Sequence, residues 1–197
     1  VLGRYSKIYR GGSPRPIQNY LTDSRDGINW IKIGDVKPGA KYINETAEKI
    51  IPEGITFSRQ VYQGDFVLSN SMSFGRPYIL NVNGCIHDGW LVIQDYAKTY
   101  DREFLYYALG AKHTLDQYSS MAAGSSVQNL SKEKVAEVCI LTPDIEKQKA
   151  IAGVLSEMDE EIGALKERLQ KYRQIRDGMM DDLLTGRRRL PGFGNGQ

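Results

Sequence analysis

Few residues of this chain have the type and the spacing that catalysis requires. The two histidines, His87 and His113, belong to no His-Glu-x-x-His or Cys/His metal pattern. Cys85 lies two residues before His87, and such a lone pair is more typical of a protein core than of a metal site. The sequence contains neither a Gly-x-Ser-x-Gly nucleophile elbow nor a Gly-x-x-x-x-Gly-Lys-Ser/Thr phosphate loop. We therefore expect no catalytic residue, no metal site and no cofactor in this chain, and a role in binding or assembly.

Side chains suited to nucleic acid recur in four polar stretches, at residues 10–16, 29–35, 69–76 and 124–129. Arg, Lys, Asn, Gln and Ser are the residue types that read base edges and phosphates. We predict phosphate or guanine contacts for Arg15, Lys32 and Arg76, and base-edge or DNA-backbone contacts for Asn70, Ser71, Ser73, Gln128 and Asn129. The alternative for each of these is an ordinary surface or structural residue.

Length and composition are those of a soluble globular protein. The chain has 197 residues, of which 41% are hydrophobic and 25% charged. Its apolar runs are short, so we expect neither a transmembrane helix nor a signal peptide. Two cysteines are too few for a disulfide-rich secreted scaffold, which favours the cytoplasm. The net charge of +2 divides into +4 over residues 1–80 (11 basic, 7 acidic) and −2 over residues 81–197 (15 basic, 17 acidic), so the basic bias is modest and lies in the first part.

Residues 1–145 have the pattern of a compact, β-rich domain. Short apolar groups alternate with turn-forming residues, which predicts strands of a sheet or barrel. These groups lie at residues 30–33, 66–68, 78–82 and 90–93. Asn83-Gly84 fits a tight hairpin turn between two of the groups. Helical spacing of apolar residues predicts one helix from Asp101 to Leu115, with Asp101 as its N-cap, and a second, short helix that starts at Ser131.

Residues 146–186 carry a heptad pattern over one long helix. Apolar side chains recur at alternating spacings of four and three residues, which is the seam of a coiled coil. The seam consists of Ile151, Leu155, Met158, Ile162, Leu165, Leu169, Tyr172, Met179 and Leu183, interrupted by Arg176. Gly186 is expected to end the helix. Because a single helix leaves this seam uncovered, we expect a partner helix from a second copy or from another chain. The alternative is that the helix folds back on its own domain.

Taken in order, these segments resemble one half of a type I restriction-modification specificity subunit, and the resemblance covers nearly the whole chain. Two motifs carry the resemblance: Gly-x-x-Trp-Ile-x-x-x-Asp at 27–35, and Gly-Asp-x-x-x-Ser at 64–69, which is followed by a glycine at 75. Four further segments support it, at residues 5–14 (the Gly-rich opening), 46–58, 141–152 and 183–190. Each piece is loose by itself, but their order and spacing together are specific. Full-length family members resemble two such halves in tandem, whereas this chain has one.

The resemblance implies an α+β fold with a target recognition domain at 1–145, a spacer and dimerisation helix at 146–186, and a tail or junction to a second half at 187–197. It implies a non-enzymatic chain that reads one half of a split double-stranded DNA target and docks methyltransferase subunits through its helix. S-adenosylmethionine, ATP and Mg²⁺ are then expected on the partner subunits, which are methyltransferase and motor or endonuclease chains. Two copies with antiparallel helices would read a palindromic split site.

Two other functions stay open at this point. The chain would also suit the recognition part of a fused restriction-modification enzyme whose catalytic domains lie elsewhere. The third hypothesis is a coiled-coil assembly protein whose globular head binds protein or carbohydrate. The 12 tyrosines of the chain would suit such a head as well.

Overall fold

The computed structural model describes residues 1–37, 39–70, 75–122 and 129–192. The chain divides into two compact units, Val1–Ala152 and Gly153–Gln197. The strands are β1 (Lys7–Arg10), β2 (Ile28–Ile31), β3 (Tyr42–Ile43), β4 (Glu48–Ile50), β5 (Arg59–Val61), β6 (Phe66–Ser69), β7 (Pro77–Leu80), β8 (Gly84–Ile86) and β9 (Trp90–Gln94). The α-helices are α1 (Arg102–Gly110), α2 (Lys112–Ala122), α3 (Lys132–Glu137) and α4 (Ile145–Leu184). The predicted α+β class is confirmed.

The first sheet has the strand order β1-β9-β6-β7-β3. Its neighbouring strands are antiparallel, except that β3 runs parallel to β7. All four residues of the central strand β6 are buried. Because both faces of β6 are covered, its apolar residues form a continuous run instead of alternating with polar ones.

The second sheet has the order β4-β2-β8-β5, in which β2 and β8 are parallel. Apolar side chains from the two sheets pack together between them. Ile31 and Ile86 come from the second sheet, and Val67, Trp90 and Val92 come from the first. This layer is the core that holds the connections at the strand ends in place.

Helices α1 to α3 cover the other face of the first sheet, where Phe66 and Leu91 pack against Leu105 and Tyr118. Two predicted N-caps are present. The Asp101 side chain accepts a hydrogen bond from the Phe104 N–H at 3.0 Å, and Ser131 Oγ accepts one from the Lys134 N–H at 3.3 Å.

The prediction of one helix from Asp101 to Leu115 is wrong, because the chain breaks it in two. Ala111 takes an extended conformation (ψ 146°) and separates α1 from α2. Gly110, the last residue of α1, is a poor helix former. The break lets each helix direct its own apolar face inward, so that Leu109 of α1 and Tyr118 of α2 are both fully buried.

The prediction of a tight hairpin at Asn83-Gly84 is also wrong. Gly84 begins β8, which pairs with β2 and β5 of the second sheet, whereas β7 belongs to the first sheet. A Cβ atom at Gly84 would lie 2.4 Å from the carbonyl oxygen of Asn29. The glycine is therefore needed for close packing of neighbouring strands, not for a turn.

Helix α4 spans 40 residues, which corresponds to a rod on the order of 60 Å. The buried side chain of Gln148 anchors the first turns of α4. It accepts a hydrogen bond from the Asp101 N–H at 2.9 Å, and its amide donates to the carbonyls of Thr99 and Pro143 at 3.0 and 2.8 Å. Gly186, at φ +73°, follows the end of the helix, as predicted. Across the described ranges, no helix is both long and apolar enough to cross a membrane.

Candidate nucleic-acid interface

Two segments of the first unit converge on Asp88, which lies in the turn between β8 and β9. The Arg15 guanidinium donates to the Asp88 carboxylate at 3.2 Å, and Ser13 Oγ donates to the other carboxylate oxygen at 2.9 Å. The backbone carbonyl of Asp88 accepts from Arg10 Nε at 3.2 Å and from the Asn70 side-chain amide at 2.8 Å. One residue thus fixes the segment after β1 and the end of β6 against the β8–β9 turn.

The segment after β1 reaches this turn only because two glycines follow the strand. The Gly11 N–H donates to the Trp90 carbonyl at 2.9 Å, and the Gly12 N–H donates to the Ile86 carbonyl at 3.2 Å. A Cβ atom at Gly11 would lie 2.0 Å from the carbonyl oxygen of His87. A side chain at this position would push the Arg15 segment away from Asp88.

A cleft of about 600 Å³ opens beside Asp88, and it brings together the predicted residues Arg15 and Lys32. Each of these cations faces a carboxylate. Arg15 is paired with Asp88 at 3.2 Å, and Lys32 Nζ lies 2.5 Å from Glu48 Oε1. Trp30 lines the cleft but is only 2% exposed, so it belongs to the core.

The electrostatics of Asp88 favour a charged carboxylate. Desolvation acts to raise the pKa of Asp88, but the hydrogen bond from Ser13 and the electrostatic attraction to His87 and Arg15 together outweigh it. The pKa therefore lies below its ordinary value, and the cleft keeps this negative charge at neutral pH.

His87, which lines the same cleft, is held in its neutral form. Burial lowers the pKa of His87, and this outweighs the opposing effect of the Asp88 charge. The backbone N–H of Ile33 faces Nε2 at 3.2 Å and that of Gly89 faces Nδ1 at 2.6 Å. A neutral ring can accept a hydrogen bond from one of these two N–H groups, at its unprotonated nitrogen, whereas a protonated ring can accept from neither. His87 thus lies between the turn after β2 and the β8–β9 turn.

A second, smaller cleft of about 280 Å³ contains the predicted residues Asn70 and Asn129, together with Arg10 and Lys132. The Leu130 N–H donates to the Asn70 carbonyl at 2.9 Å, which holds the segment before α3 against the end of β6. Asn129 is exposed. Asn70 is 5% exposed and its amide is engaged by Asp88, so the structure gives it a positioning role, and its base-edge or DNA-backbone contact stays a prediction.

Arg76 is exposed at the start of β7, and its guanidinium lies 5.6 Å from the centre of the Tyr78 ring. The preceding Gly75 has φ +79°, and a Cβ atom there would lie 2.4 Å from the Tyr118 ring. The predicted contacts of Ser71, Ser73 and Gln128 fall outside the described residues.

Other charged side chains near the clefts carry no distinctive sequence signal. Asp88-Gly89 indicates only a turn, and Arg10 belongs to a polar stretch whose other residues are equally suited to DNA. Arg59, on the edge strand β5, lies over the Tyr9 ring at 4.6 Å and has no sequence signal, because Tyr9 and Arg59 are distant in the chain. A further cleft of about 700 Å³ is lined by residues 3–7 and 95–99, with Lys7 paired to Asp95 at 2.7 Å, and it contains none of the predicted residues.

The seam residues of α4 lie at the surface. Ile151, Met158, Ile162, Leu165, Leu169, Tyr172 and Met179 are 43–58% exposed, and Leu155 and Leu183 are half-buried. Their pairing with another helix stays a prediction. Among the described residues, no group of three or more His, Cys, Asp and Glu side chains is placed to hold a metal ion.

The chain thus combines a two-sheet domain, which carries a polar cleft lined by Arg15 and Lys32, with a long helix that has an exposed apolar stripe. The family model described as the type I restriction modification DNA specificity domain matches residues 7–172, and the chain belongs to this family.

Curated relatives and solved structures agree with this family. The type I restriction enzyme MjaVIII specificity subunit of Methanocaldococcus jannaschii is 25% identical over 194 residues, covering 93% of this chain and 41% of the relative. The putative MjaX specificity subunit of the same organism is 25% identical over 192 residues, covering 95% and 42%. The chain thus spans about two fifths of the length of these relatives.

Solved structures share the fold at low sequence identity. One, solved to explain complex assembly and conformational transition of the type I R-M system, has a TM-score of 0.72 at 20% identity over 92% of this chain and 44% of its own. The HsdS subunit from Thermoanaerobacter tengcongensis has a TM-score of 0.66 at 20% identity over 92% and 43%. The S subunit from M. genitalium has a TM-score of 0.55 at 18% identity over 92% and 44%.

Proposed function

We propose that this chain is the sequence-reading part of a type I restriction-modification specificity subunit and that it binds one half of a split double-stranded DNA target. The observation that carries the proposal is the convergence of Arg10, Ser13, Arg15 and Asn70 on Asp88. It gathers polar loops from separate parts of the sequence into one surface, as readout of several adjacent bases requires. Family membership supplies the class of ligand.

The cleft beside Asp88 suits base edges better than phosphates. Both of its cations face carboxylates, and a phosphate group entering the cleft would meet the charges of Asp88 and Glu48. Base edges offer both donors and acceptors, so Arg15 and Lys32 would bind guanine acceptors while a carboxylate accepts from a cytosine amino group. We assign base contacts to this cleft.

Phosphate contacts are assigned to the exposed cations outside this cleft. Arg76 is exposed beside β7, and Lys132 is exposed at the second cleft, where its Nζ lies 3.8 Å from Glu133 Oε1, a looser pair than those of Arg15 and Lys32. Exposed Arg and Lys side chains position a protein on DNA through phosphates. Asn129, which is also exposed, is assigned a contact at this rim.

The long helix supplies the protein partners in this proposal. Its exposed apolar seam supports docking of methyltransferase subunits and pairing with a second half or a second copy. The chain itself would do no chemistry. S-adenosylmethionine, ATP and Mg²⁺ would bind to the methyltransferase and the motor or endonuclease partners, in the cytoplasm.

Binding of the assembled methyltransferase complex to DNA tests the proposal. Arg15→Ala should weaken binding to the preferred sequence roughly 10-fold or more, because a good base contact contributes about 1–3 kcal/mol. Arg102→Ala is the control, since Arg102 is exposed on α1, which covers the opposite face of the first sheet. An assembled complex that binds all DNA sequences equally would overturn the proposal. It would favour the alternative hypothesis that the chain is a coiled-coil assembly protein.

A further inference from the structure

Phe57 is an apolar side chain that stays at the surface near the cleft of Arg15 and Asp88. It ends a short 3₁₀-helix (Pro52–Phe57) and is 56% exposed. We infer that Phe57 reads the methyl group of a thymine at a position next to the bases bound in the cleft. The inference rests on the proposed function and adds an apolar contact to it, whereas the contacts assigned above are hydrogen bonds and charges.

The register of the second sheet places Phe57 at the same end of the sheet as Asp88. Ile31 of β2 pairs with Ile86 of β8, and Ile86 pairs with Arg59 of β5, so these three residues form one row across the sheet. Strand β8 leaves this row toward Asp88. Because β5 is antiparallel to β8, the chain enters the same row from Phe57. Asp88 and Phe57 each lie two residues beyond the row, at the end of the sheet where the cleft opens.

The backbone at the start of β5 is held against the segment that carries Arg15. The carbonyl of Ile86 accepts from the Gly12 N–H at 3.2 Å and from Ser58 Oγ at 2.9 Å. A Cβ atom at Gly12 would lie 2.7 Å from the carbonyl oxygen of Phe57, so the two backbones are closely packed. Phe57 therefore projects from a rigid support, which a side chain needs if it is to discriminate between ligands that differ by one methyl group.

Apolar surface connects Phe57 to the cleft. The Phe57 ring meets the Tyr20 ring at an interplanar angle of 66°, with the ring centroids 5.7 Å apart. Leu21, the residue after Tyr20, is 37% exposed and lines the cleft together with Arg15. The cleft therefore combines hydrogen-bonding side chains with an apolar edge that extends to Phe57.

The chemistry of base edges indicates what this apolar edge would bind. The guanine acceptors and the cytosine amino group, which are the partners assigned to the cleft, lie in the major groove. In the same groove, thymine presents its C5-methyl group, an apolar feature that distinguishes it from the other bases. A phenylalanine ring gains apolar contact with this methyl group and offers no hydrogen bond to the polar groups of the other bases. Phe57 would thus select thymine at one position of the target.

The charge around Phe57 favours DNA over a protein as its ligand. Arg59, two residues further along the chain, is exposed and lies over the Tyr9 ring at 4.6 Å. Arg10 is exposed at the end of β1. Exposed arginines beside a base contact are suited to the phosphates of the same duplex.

Replacement of thymine by uracil tests the inference, because it removes the methyl group and keeps every hydrogen-bonding group of the base. In the assembled methyltransferase complex on its preferred duplex, one such replacement should weaken binding about 4-fold, since burial of one methyl group contributes about 0.8 kcal/mol. Phe57→Ala should weaken binding to the thymine duplex by at least this factor and should bind the thymine and uracil duplexes equally. Phe57→Leu keeps an apolar side chain and should retain most of the discrimination. Fluorescence anisotropy titrations, with each thymine of the half-site replaced in turn, supply the dissociation constants.

Tyr62→Ala is the matched control. Tyr62 is 52% exposed but follows the opposite end of β5, where Val61 pairs with Gly84. The Tyr62→Ala complex should bind both duplexes as the wild type does. Because no cation is removed, Phe57→Ala should also leave the salt slope of DNA binding unchanged, in contrast to the loss of a phosphate contact.

Three results would overturn the inference. The first is a wild-type complex that binds every uracil duplex as tightly as the thymine duplex. The second is a Phe57→Ala complex that discriminates between the two duplexes as the wild type does. The third is a Phe57→Ala chain that assembles poorly with methyltransferase subunits but binds both duplexes normally once assembled, which would assign the ring to a protein contact.

Failure of the sequence-reading proposal would look different. The wild-type complex would then bind all base sequences equally. Failure of the thymine contact alone leaves the sequence preference of the complex, and its loss of affinity on Arg15→Ala, intact.

Discussion

The side-chain amide of Asn70 donates to the backbone carbonyl of Asp88 at 2.8 Å. The backbone of Asn70 makes two more bonds, from its N–H to the Gly89 carbonyl at 3.0 Å and from the Leu130 N–H to its own carbonyl at 2.9 Å. Asn70 therefore joins the end of β6 to the β8–β9 turn and to the segment before α3. Its side chain supports the loops that would contact DNA and is not itself displayed.

Replacement of Asn70 by Ala should destabilise the fold by about 0.5–1.5 kcal/mol, because it removes the part-buried hydrogen bond to the Asp88 carbonyl and leaves that carbonyl with the exposed bond from Arg10 Nε. Urea unfolding of the full chain measures the change in the free energy of unfolding. Asn129→Ala, the exposed neighbour in the same cleft, should stay within about 0.5 kcal/mol of wild type. Equal effects of the two substitutions would contradict the positioning role of Asn70.

Replacement of Gly11 by Ala should cost about 1–3 kcal/mol, because the new Cβ would meet the His87 carbonyl, which is backbone and yields little. The control is Gly34→Ala, where a Cβ has no neighbour within 4 Å. Thermal unfolding of both variants distinguishes them, and a Gly11→Ala protein as stable as Gly34→Ala would contradict the close approach. The displaced segment should also lower DNA affinity in the assembled complex.

Stability should fall between pH 7.5 and pH 5.5 because of His87. Its pKa in the folded chain lies below 6.5, mainly because burial disfavours the charged ring. As the pH falls through 6.5, the unfolded chain binds a proton at this histidine before the folded chain does. The contribution of His87 to the free energy of unfolding is therefore fully present above pH 6.5 and is lost as the pH falls below it. Urea unfolding at several pH values should show a flatter dependence for His87→Gln. The exposed His113→Gln serves as control and should keep the wild-type slope.

Replacement of Arg15 and replacement of Arg76 should have different effects on the salt dependence of DNA binding. Arg76→Ala, at an assigned phosphate contact, should weaken binding to all sequences alike and reduce the salt slope by about 1. Arg15→Ala, at an assigned base contact, should relax the preference at one base position and leave the slope nearly unchanged. Titrations of preferred and altered duplexes at several salt concentrations measure both quantities. The reverse pattern would exchange the two assignments.

Local sequence patterns predict individual strands and helices, but they do not predict which strands pair with each other. The apolar groups at 66–68 and 90–93, the N-caps Asp101 and Ser131, and the long helix all appear as predicted, because each depends on residues close in the chain. The pairing of β8 with the second sheet depends on packing between distant segments. An Asn-Gly pair indicates a turn but carries no information on which sheet receives the next strand.

The same limit applies to the site. Residue type alone points to Arg15 and Lys32, and the fold brings them into one cleft. Residue type points to Asn70 as well, but its burial adds a positioning role that the sequence does not indicate. Asp88 has no such signal, because a carboxylate in an Asp-Gly pair indicates only a turn. Its importance comes from three segments that meet only after folding.

The bonds from Arg10 and Asn70 end on the backbone carbonyl of Asp88, an atom that every amino acid possesses. A substitution at position 88 would therefore keep these two bonds and lose the bonds from Ser13 and Arg15, which end on the carboxylate. Under the proposed function, the bases accepted by the cleft would change with the side chain at this position. The ends of β1 and β6 would stay bound to the β8–β9 turn through its backbone.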